Sequence, residues 1–431
     1  MGLMGNATTF TYDRVSIDVT TATIHCRYLL DDEAFTEIAT IPGGNLIAAG
    51  VPQAAWWYFL LAGVSYYKTN PAPDVVIADG PSSPDDRTFL ETFLIEGLGE
   101  FAFRNGMDIS QLRVRGLDGV RAPSTPIHAE GHVLIPFGGG LDSLVTVHEL
   151  AGLAERAALF VAERPGARFE AIELPAQQTG LEIMRATRAI DPKLLDGIDR
   201  GYLNGHVPVT GILSALGVTT ALAHGFGALA MSNERSASSA TTTGPFGAVN
   251  HQWSKGLAFE LGFSKVLATH IPGFRYFSWL RNRSELSIAE VFAGIREYHP
   301  LFRSCNRAFH QDPVRRLDTW CGECDKCLFI DLALAPFLSR TQLSEIFSGV
   351  EPLENEALRA QLEILCDTAD GVRPFECVGD ASECQEALLL TAQRDDRATN
   401  AMIQDVAAKI TDSPKPALEQ PVTIPKRFLR A

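Results

Sequence analysis

The chain has 431 residues, and 37 Lys+Arg against 52 Asp+Glu leave a formal charge of −15, which excludes a general affinity for nucleic-acid phosphate resting on basic surface. Hydrophobic residues at 46% and charged ones at 21% supply apolar area for two or three cores and exclude disorder as the main state. The opening MGLMGNATTFTYD has no basic stretch leading into an apolar run, so no secretory signal is expected and a cytoplasmic location is.

Residues 10–30 alternate β-branched or aromatic side chains with polar ones and predict two or three antiparallel strands. Ala54–Tyr67 predicts a compact apolar helix and Asp74–Ala78 a short buried strand. Asp86–Asn105 predicts an amphipathic helix with Phe89, Phe93, Leu94 and Leu98 on one side. Residues 1–125 thus read as an α+β domain without a catalytic signature of its own, suited to covering or shaping a neighbouring site. Gly119–His132, with two prolines and little periodicity, reads as a linker.

A new unit opens at Val133–Phe137, a buried strand, followed by a tight loop at Gly138–Gly140 and a helix expected over Ser143–Ala162. A strand over Phe169–Leu174, a helix around Leu181–Ala189, a helix over Ile212–His224 and a strand over Ala228–Ser232 follow. The uncharged run from Gly201 to Asn233 is broken by His206, Pro208 and several glycines, so it reads as a buried helix and strand rather than a membrane span. This alternation predicts an α/β fold, a doubly wound parallel sheet covered by helices on both faces, over 133–340. From Trp253 onward the pattern is mostly helical. A helical C-terminal region is expected over 341–412 and an extended, proline-containing tail over 413–431.

Gly138-Gly139-Gly140-Leu141-Asp142-Ser143 stands at the end of a predicted strand and before a helix. Glycines let backbone N–H groups approach a polyphosphate, and the helix turns its positive end toward the same anion. The block is neither a Walker loop nor a dinucleotide fingerprint, and the plainer reading is a tight turn capped by Asp142 or Ser143. Cys305, Cys321, Cys324 and Cys327 have the spacing of a closed four-thiolate site: structural zinc, with an iron–sulfur cluster as the alternative. Cys26, Cys366, Cys377 and Cys384 show no such spacing and read as ordinary residues.

Asn233, Glu234, Arg235 and Ser236 follow a predicted strand end, where doubly wound sheets bind ligands, and are candidate nucleotide or Mg²⁺ contacts. Between Arg275 and Arg316 arginines are frequent and lysines absent in a chain that is acidic overall, which points to a local anion site.

The glycine block resembles the PP-loop pattern Ser-Gly-Gly-x-Asp-Ser of ATP pyrophosphatases, with Gly138 in place of the first Ser. The order GGGLDS, SNERSA, NHQWSK, FSWLR with SEL, SCN and WCGECDKCLF, from about Ile135 to Phe337, resembles the UDP-N-acetylmuramoyl-L-alanyl-L-glutamate epimerase family (MurL). That resemblance implies an ATP- and Mg²⁺-dependent inversion of the terminal L-Glu of a UDP-linked muramoyl dipeptide, with AMP and pyrophosphate released from an acyl-adenylate. It further implies nucleotide contacts at Gly138, Gly139, Gly140, Leu141, Asp142, Ser143, Asn233 and Ser236. Substrate contacts are implied at Arg235, Arg281, Arg283 and Glu285, and zinc at the four cysteines. Proton transfer is expected among His251, Lys255, Glu234 and Glu285, with His251 or Lys255 as the base. An amidating or ligating PP-loop synthase, a peptide-tailoring epimerase acting on another carboxylate substrate and a nucleotide sensor are the competing readings.

Overall fold

The computed structural model describes residues 5–429 apart from 311, 313 and 412–419. Strands β1 (Thr9–Asp18), β2 (Thr23–Leu30) and β3 (Glu33–Thr40) form an antiparallel meander. Alternate side chains (Phe10, Tyr12, Ile24, Cys26, Tyr28, Phe35) point to one face and are buried there. They cover the helix Val51–Ala62, which is apolar nearly all round and accordingly buried nearly all round. The helix expected over Ala54–Tyr67 is interrupted at Gly63, where a Cβ would lie 2.3 Å from the Tyr12 ring. The one expected over Asp86–Asn105 is two helices, Pro84–Gly97 and Gly99–Asn105, meeting at Leu98.

The remaining strands are β4 (Asp74–Ser82), β5 (Arg113–Asp118), β6 (His132–Pro136), β7 (Arg156–Glu163), β8 (Glu182–Ala189), β9 (Ala228–Met231), β10 (Thr242–Gly244), β11 (Gly247–Val249) and β12 (Arg275–Ser278). All but the β10–β11 hairpin join one ten-stranded sheet in the order β12-β9-β6-β7-β8-β3-β2-β1-β4-β5. Pairing is parallel from β12 to β8, antiparallel from β8 to β1, and parallel again through β4 and β5. The parallel half is covered on both faces. Leu134, Phe160, Leu229 and Met231 face the helices Val51–Ala62, Val209–Ala223 and Leu257–His270, whereas Val133, Ile135, Leu159, Val161 and Ala230 face the helices Leu141–Leu150 and Glu285–Gly294 and the helical C-terminal region. The α/β fold class and the helical C-terminal region are as the sequence implies. Among the described residues no helix is long and apolar enough to cross a membrane.

Four further elements differ from their sequence expectation. The helix expected over Ser143–Ala162 ends at Leu150, and the chain re-enters the sheet as β7. Residues 158–161 are buried on both faces, and a short apolar run of that kind has no period that separates strand from buried helix. Phe169–Leu174 belongs mostly to the helix Glu170–Gln178, not to a strand, and Leu181–Ala189 is β8, not a helix. In β8, Met184 and Ala186 turn inward at period two. The four-residue strand β12 lies inside the stretch read as helical. Of the tail expected over 413–431, residues 413–419, 430 and 431 lie outside the described residues. Residues 420–429 pack on the domain, with Phe428 buried against Phe277 at 5.9 Å.

Where β3 meets β8, Glu37 and Arg188 form an ion pair at 2.8 Å, with side chains 0% and 15% exposed. The Tyr58 and Tyr66 hydroxyls donate to the same carboxylate at 2.5 and 2.9 Å. Removing one partner of such a pair leaves a buried charge uncompensated. Arg188→Met should therefore lower unfolding free energy by about 3–5 kcal/mol, read from the shift of a urea denaturation midpoint. A shift equivalent to less than about 1 kcal/mol, the range of exposed pairs, would show that this seam does not depend on the ion pair.

Candidate active site

Strand β6 has β7 on one side and β9 on the other. The strand order therefore reverses at its carboxyl end, where open α/β sheets leave a crevice. Gly138–Ser143 leaves β6 at this point and borders a cavity of about 600 Å³. Gly138 faces open space, and Gly139 has φ +75° with a would-be Cβ 2.2 Å from the Ala171 carbonyl oxygen. A Cβ on Gly140 would lie 2.9 Å from Ser304 Oγ. Glycine at 139 is thus demanded by packing against main chain, whereas at 140 a side chain would meet only the Ser304 hydroxyl. The helix Leu141–Leu150 begins there with no side-chain cap on its first-turn N–H groups among the described residues, Leu141 buried, and Ser143 Oγ donating to the Gly140 carbonyl at 2.9 Å.

Gly138, Gly140, Asp142, Ser143, Asn233, His251 and Lys255 line this one cavity. Gly139, Leu141, Glu234, Arg235, Ser236, Arg281, Arg283 and Glu285 do not line it. Arg281, 1% exposed, pairs with Glu260 at 2.7 Å and donates to the carbonyls of Glu234 and Lys255 at 2.8 and 2.6 Å, so it ties together two segments of the cavity wall. Ser278 Oγ clamps the Asn233 main chain, accepting from its N–H at 2.7 Å and donating to its carbonyl at 2.6 Å. Arg283 pairs with Glu149 at 2.7 Å and Arg235 with Glu383 at 3.6 Å. The Glu285 N–H donates to Glu383 at 3.2 Å, and the buried Ser236 hydroxyl has no partner among the described residues.

The charges in and behind the wall are closely balanced. Burial raises Asp142, Glu234 adds to the rise, and Lys326 and Lys255 oppose it, leaving about 6. Burial, Asp142 and Glu234 hold Glu285 well above the carboxylate range. Opposite the glycine loop, Lys255 Nζ donates to Cys377 Sγ at 3.1 Å, and His251 Nδ1 meets Glu100 Oε2 at 2.5 Å. Burial works against the Lys255 ammonium, yet Cys377 and Glu234 keep its pKa above the ordinary lysine range. Burial likewise works against protonation of His251, but hydrogen bonds with Cys377 and Glu100 raise it to about 9. For Cys377, burial disfavours the thiolate, while Lys255, a hydrogen bond from His251 and Lys326 outweigh it and bring the thiol down to about 6.

Spacing alone did not single out Cys377, Glu376, Lys326, Arg303 or Asn306, all of which line the cavity, nor Glu100 behind His251. Lys326 and Asn306 each carried a local cue as neighbours of a clustered cysteine, and Arg303 lay in the arginine-rich stretch. The sulfurs of Cys305, Cys321, Cys324 and Cys327 lie within 4.8 Å of one another, with Cys321 and Cys324 at 3.5 and 3.4 Å from Cys327, and could hold a metal ion. Such separations suit the edges of a tetrahedron of thiolates about zinc. Cys305 follows the cavity residues Arg303 and Ser304, and Cys324 opens the helix Asp325–Leu334, which carries Lys326 to the cavity. The four sulfurs therefore join two segments of the cavity wall.

The MurL N-terminal domain family matches residues 3–279, and the MurL C-terminal domain family matches residues 301–420. The chain belongs to the MurL family. It is 34% identical over 416 residues to the UDP-N-acetyl-alpha-D-muramoyl-L-alanyl-L-glutamate epimerase of Xanthomonas oryzae pv. oryzae, covering 93% of this chain and 90% of that one. Proteins of the same name from Salinispora tropica and a Micromonospora species are each 35% identical, covering 92% and 90% of this chain and 88% and 87% of theirs. No solved structure matches. In this MurL chain the cavity is lined from both family domains: the glycine loop, His251 and Lys255 come from the first, and Asn306, Lys326 and Cys377 from the second.

Proposed function

We propose that this protein inverts the terminal L-Glu of UDP-N-acetylmuramoyl-L-alanyl-L-glutamate to D-Glu for peptidoglycan precursor synthesis, using ATP and passing through an acyl-adenylate with release of AMP and pyrophosphate. The names of three relatives support the substrate. The observation that carries the mechanism is that a glycine loop at a sheet switch point and a cluster of proton-transfer groups share one cavity.

Deprotonating Cα beside a free carboxylate would place two negative charges on adjoining atoms, whereas an adenylated carboxyl group accepts the electron pair into its carbonyl. The glycine loop and the helix behind it stabilise charge on the leaving pyrophosphate. Arg303 and Lys326 add cationic charge from the opposite segment. Asn233 and Ser236 belong to the nucleotide side, held in place by Ser278 and by Arg281, which acts through the main chain it ties. Arg235, Arg283 and Glu285 support the same wall toward the substrate. Asp142, which lines the cavity and whose carboxyl is raised in part by Glu234 behind it, offers oxygen that suits a hard divalent cation. Mg²⁺ held there would neutralise phosphate charge. Zinc fits the four cysteines in a structural role.

The test is mass spectrometry of the UDP-linked dipeptide after incubation with the protein, ATP and Mg²⁺ in D₂O. Deuterium at the glutamate Cα together with AMP is expected. AMP without deuterium would point to an amidating or ligating enzyme, and the absence of both signals would exclude this substrate.

A further inference from the structure

We propose that Cys377 is a catalytic residue, its thiolate removing the Cα proton of the activated glutamyl residue while Lys255 and the His251–Glu100 pair hold it ready. The assignment rests on the epimerase reading above. Cys377 lines the cavity that Gly138, Asp142 and Asn233 also line, so one ligand can touch the loop and the thiol together. Its sulfur accepts from Lys255 Nζ at 3.1 Å, and its carbonyl accepts from Lys326 Nζ. Glu100, on the helix Gly99–Asn105, takes one nitrogen of His251 at 2.5 Å and leaves the other for the thiolate. This gives residues 1–125 a part in the chemistry through Glu100.

The neighbours decide which group is the base. Lys255 and His251 both carry a proton at neutral pH, so each can donate but not accept. Asp142 belongs to the phosphate end, and the Glu376 carboxylate is engaged by Asn306 Nδ2 at 2.5 Å. Cys377 is left as the anion whose basicity suits the step. In the reaction the Cα–H bond breaks, an S–H bond forms, and the electron pair passes into the carbonyl of the adenylated carboxyl group. A second acid returns a solvent-derived proton to the opposite face, the thiol proton leaves to solvent, and water hydrolyses the adenylate.

Cys377→Ser in the full-length protein tests this. Substrate-dependent exchange of pyrophosphate into ATP should stay within about threefold of wild type, because activation precedes proton transfer. Deuterium incorporation at Cα should fall roughly 100-fold or more. Near-wild-type deuterium in the variant would overturn the assignment, and so would loss of both reactions together, which would make Cys377 part of activation. A wild-type protein that incorporates no deuterium would instead remove the epimerase reading itself.

A second readout needs no substrate. The groups facing Cys377 are Lys255 and His251 from the 250–255 segment, Lys326 from the helix Asp325–Leu334, Asp142 from the glycine-loop helix and its neighbour Glu376. Together they predict that iodoacetamide labelling of the Cys377 peptide rises through about pH 6. A rise centred near 9, the ordinary thiol value, would overturn the proposal.

Discussion

Cys324→Ser should cost the protein the metal proposed at the four cysteines, its C-terminal packing and most of its turnover. Cys305 arrives on an irregular segment, while Cys321, Cys324 and Cys327 sit on the turn that opens the helix Asp325–Leu334. Beyond that turn the helix packs Leu328, Phe329 and Leu332 into the same core as Phe302, Trp320 and the last helices. Four thiolates within 4.8 Å of one another repel unless a cation joins them, so the binding energy of a metal held there would be part of the folding energy of this region. Losing one ligand should remove several kcal/mol and lower Tm on the order of 10 °C. Because Arg303, Ser304, Asn306 and Lys326 are carried by the same two segments, turnover should fall by about 100-fold as well. Metal analysis and thermal melts with and without a chelator check this, and visible absorption separates zinc, which is colourless, from an iron–sulfur cluster. A variant that melts like wild type would mean that the sulfurs meet without a structural ion.

What could be read from the sequence was local in the chain. The glycine block and the three cysteines at two-residue spacing each lie within one turn of backbone, so spacing alone implied the geometry of each. The ordered motifs identified the family, which the family matches bear out. What escaped depends on distance along the chain. Cys377 meets Lys255 from 122 residues away, and Glu100 meets His251 from 151 residues away, and neither pair leaves a pattern in its own neighbourhood. β7 and β8 were misread for the opposite reason. Their local pattern is real but ambiguous, and only neighbours on both sides in the sheet decide it. Arg281 shows a further limit: composition marked an arginine-rich stretch, yet this side chain is spent on Glu260 and two carbonyls inside the wall.

Lys255→Met should reduce turnover by roughly 100- to 1000-fold, the loss found when one preorganised charge is taken from an active site. Lys255 Nζ faces Cys377 Sγ, and its charge also acts on Glu234 and Asp142. Without the ammonium, the thiolate loses the neighbour that lowers its pKa most, and Asp142 loses one of the two cations holding it down. Both pKa values should rise, so at neutral pH the variant carries more thiol and more protonated Asp142. The sign appears in the pH dependence of turnover. With Cys377 as base, the wild-type rate should climb through about 6 as the thiolate forms and decline through about 9 as His251 loses its proton. In Lys255→Met the rising limb should move upward toward the ordinary thiol range, narrowing the plateau from the acid side, while the falling limb still follows His251, which Cys377 and Glu100 together hold up. An equal loss of rate at every pH, with both limbs unmoved, would assign Lys255 to phosphate or carboxylate binding and not to the thiolate.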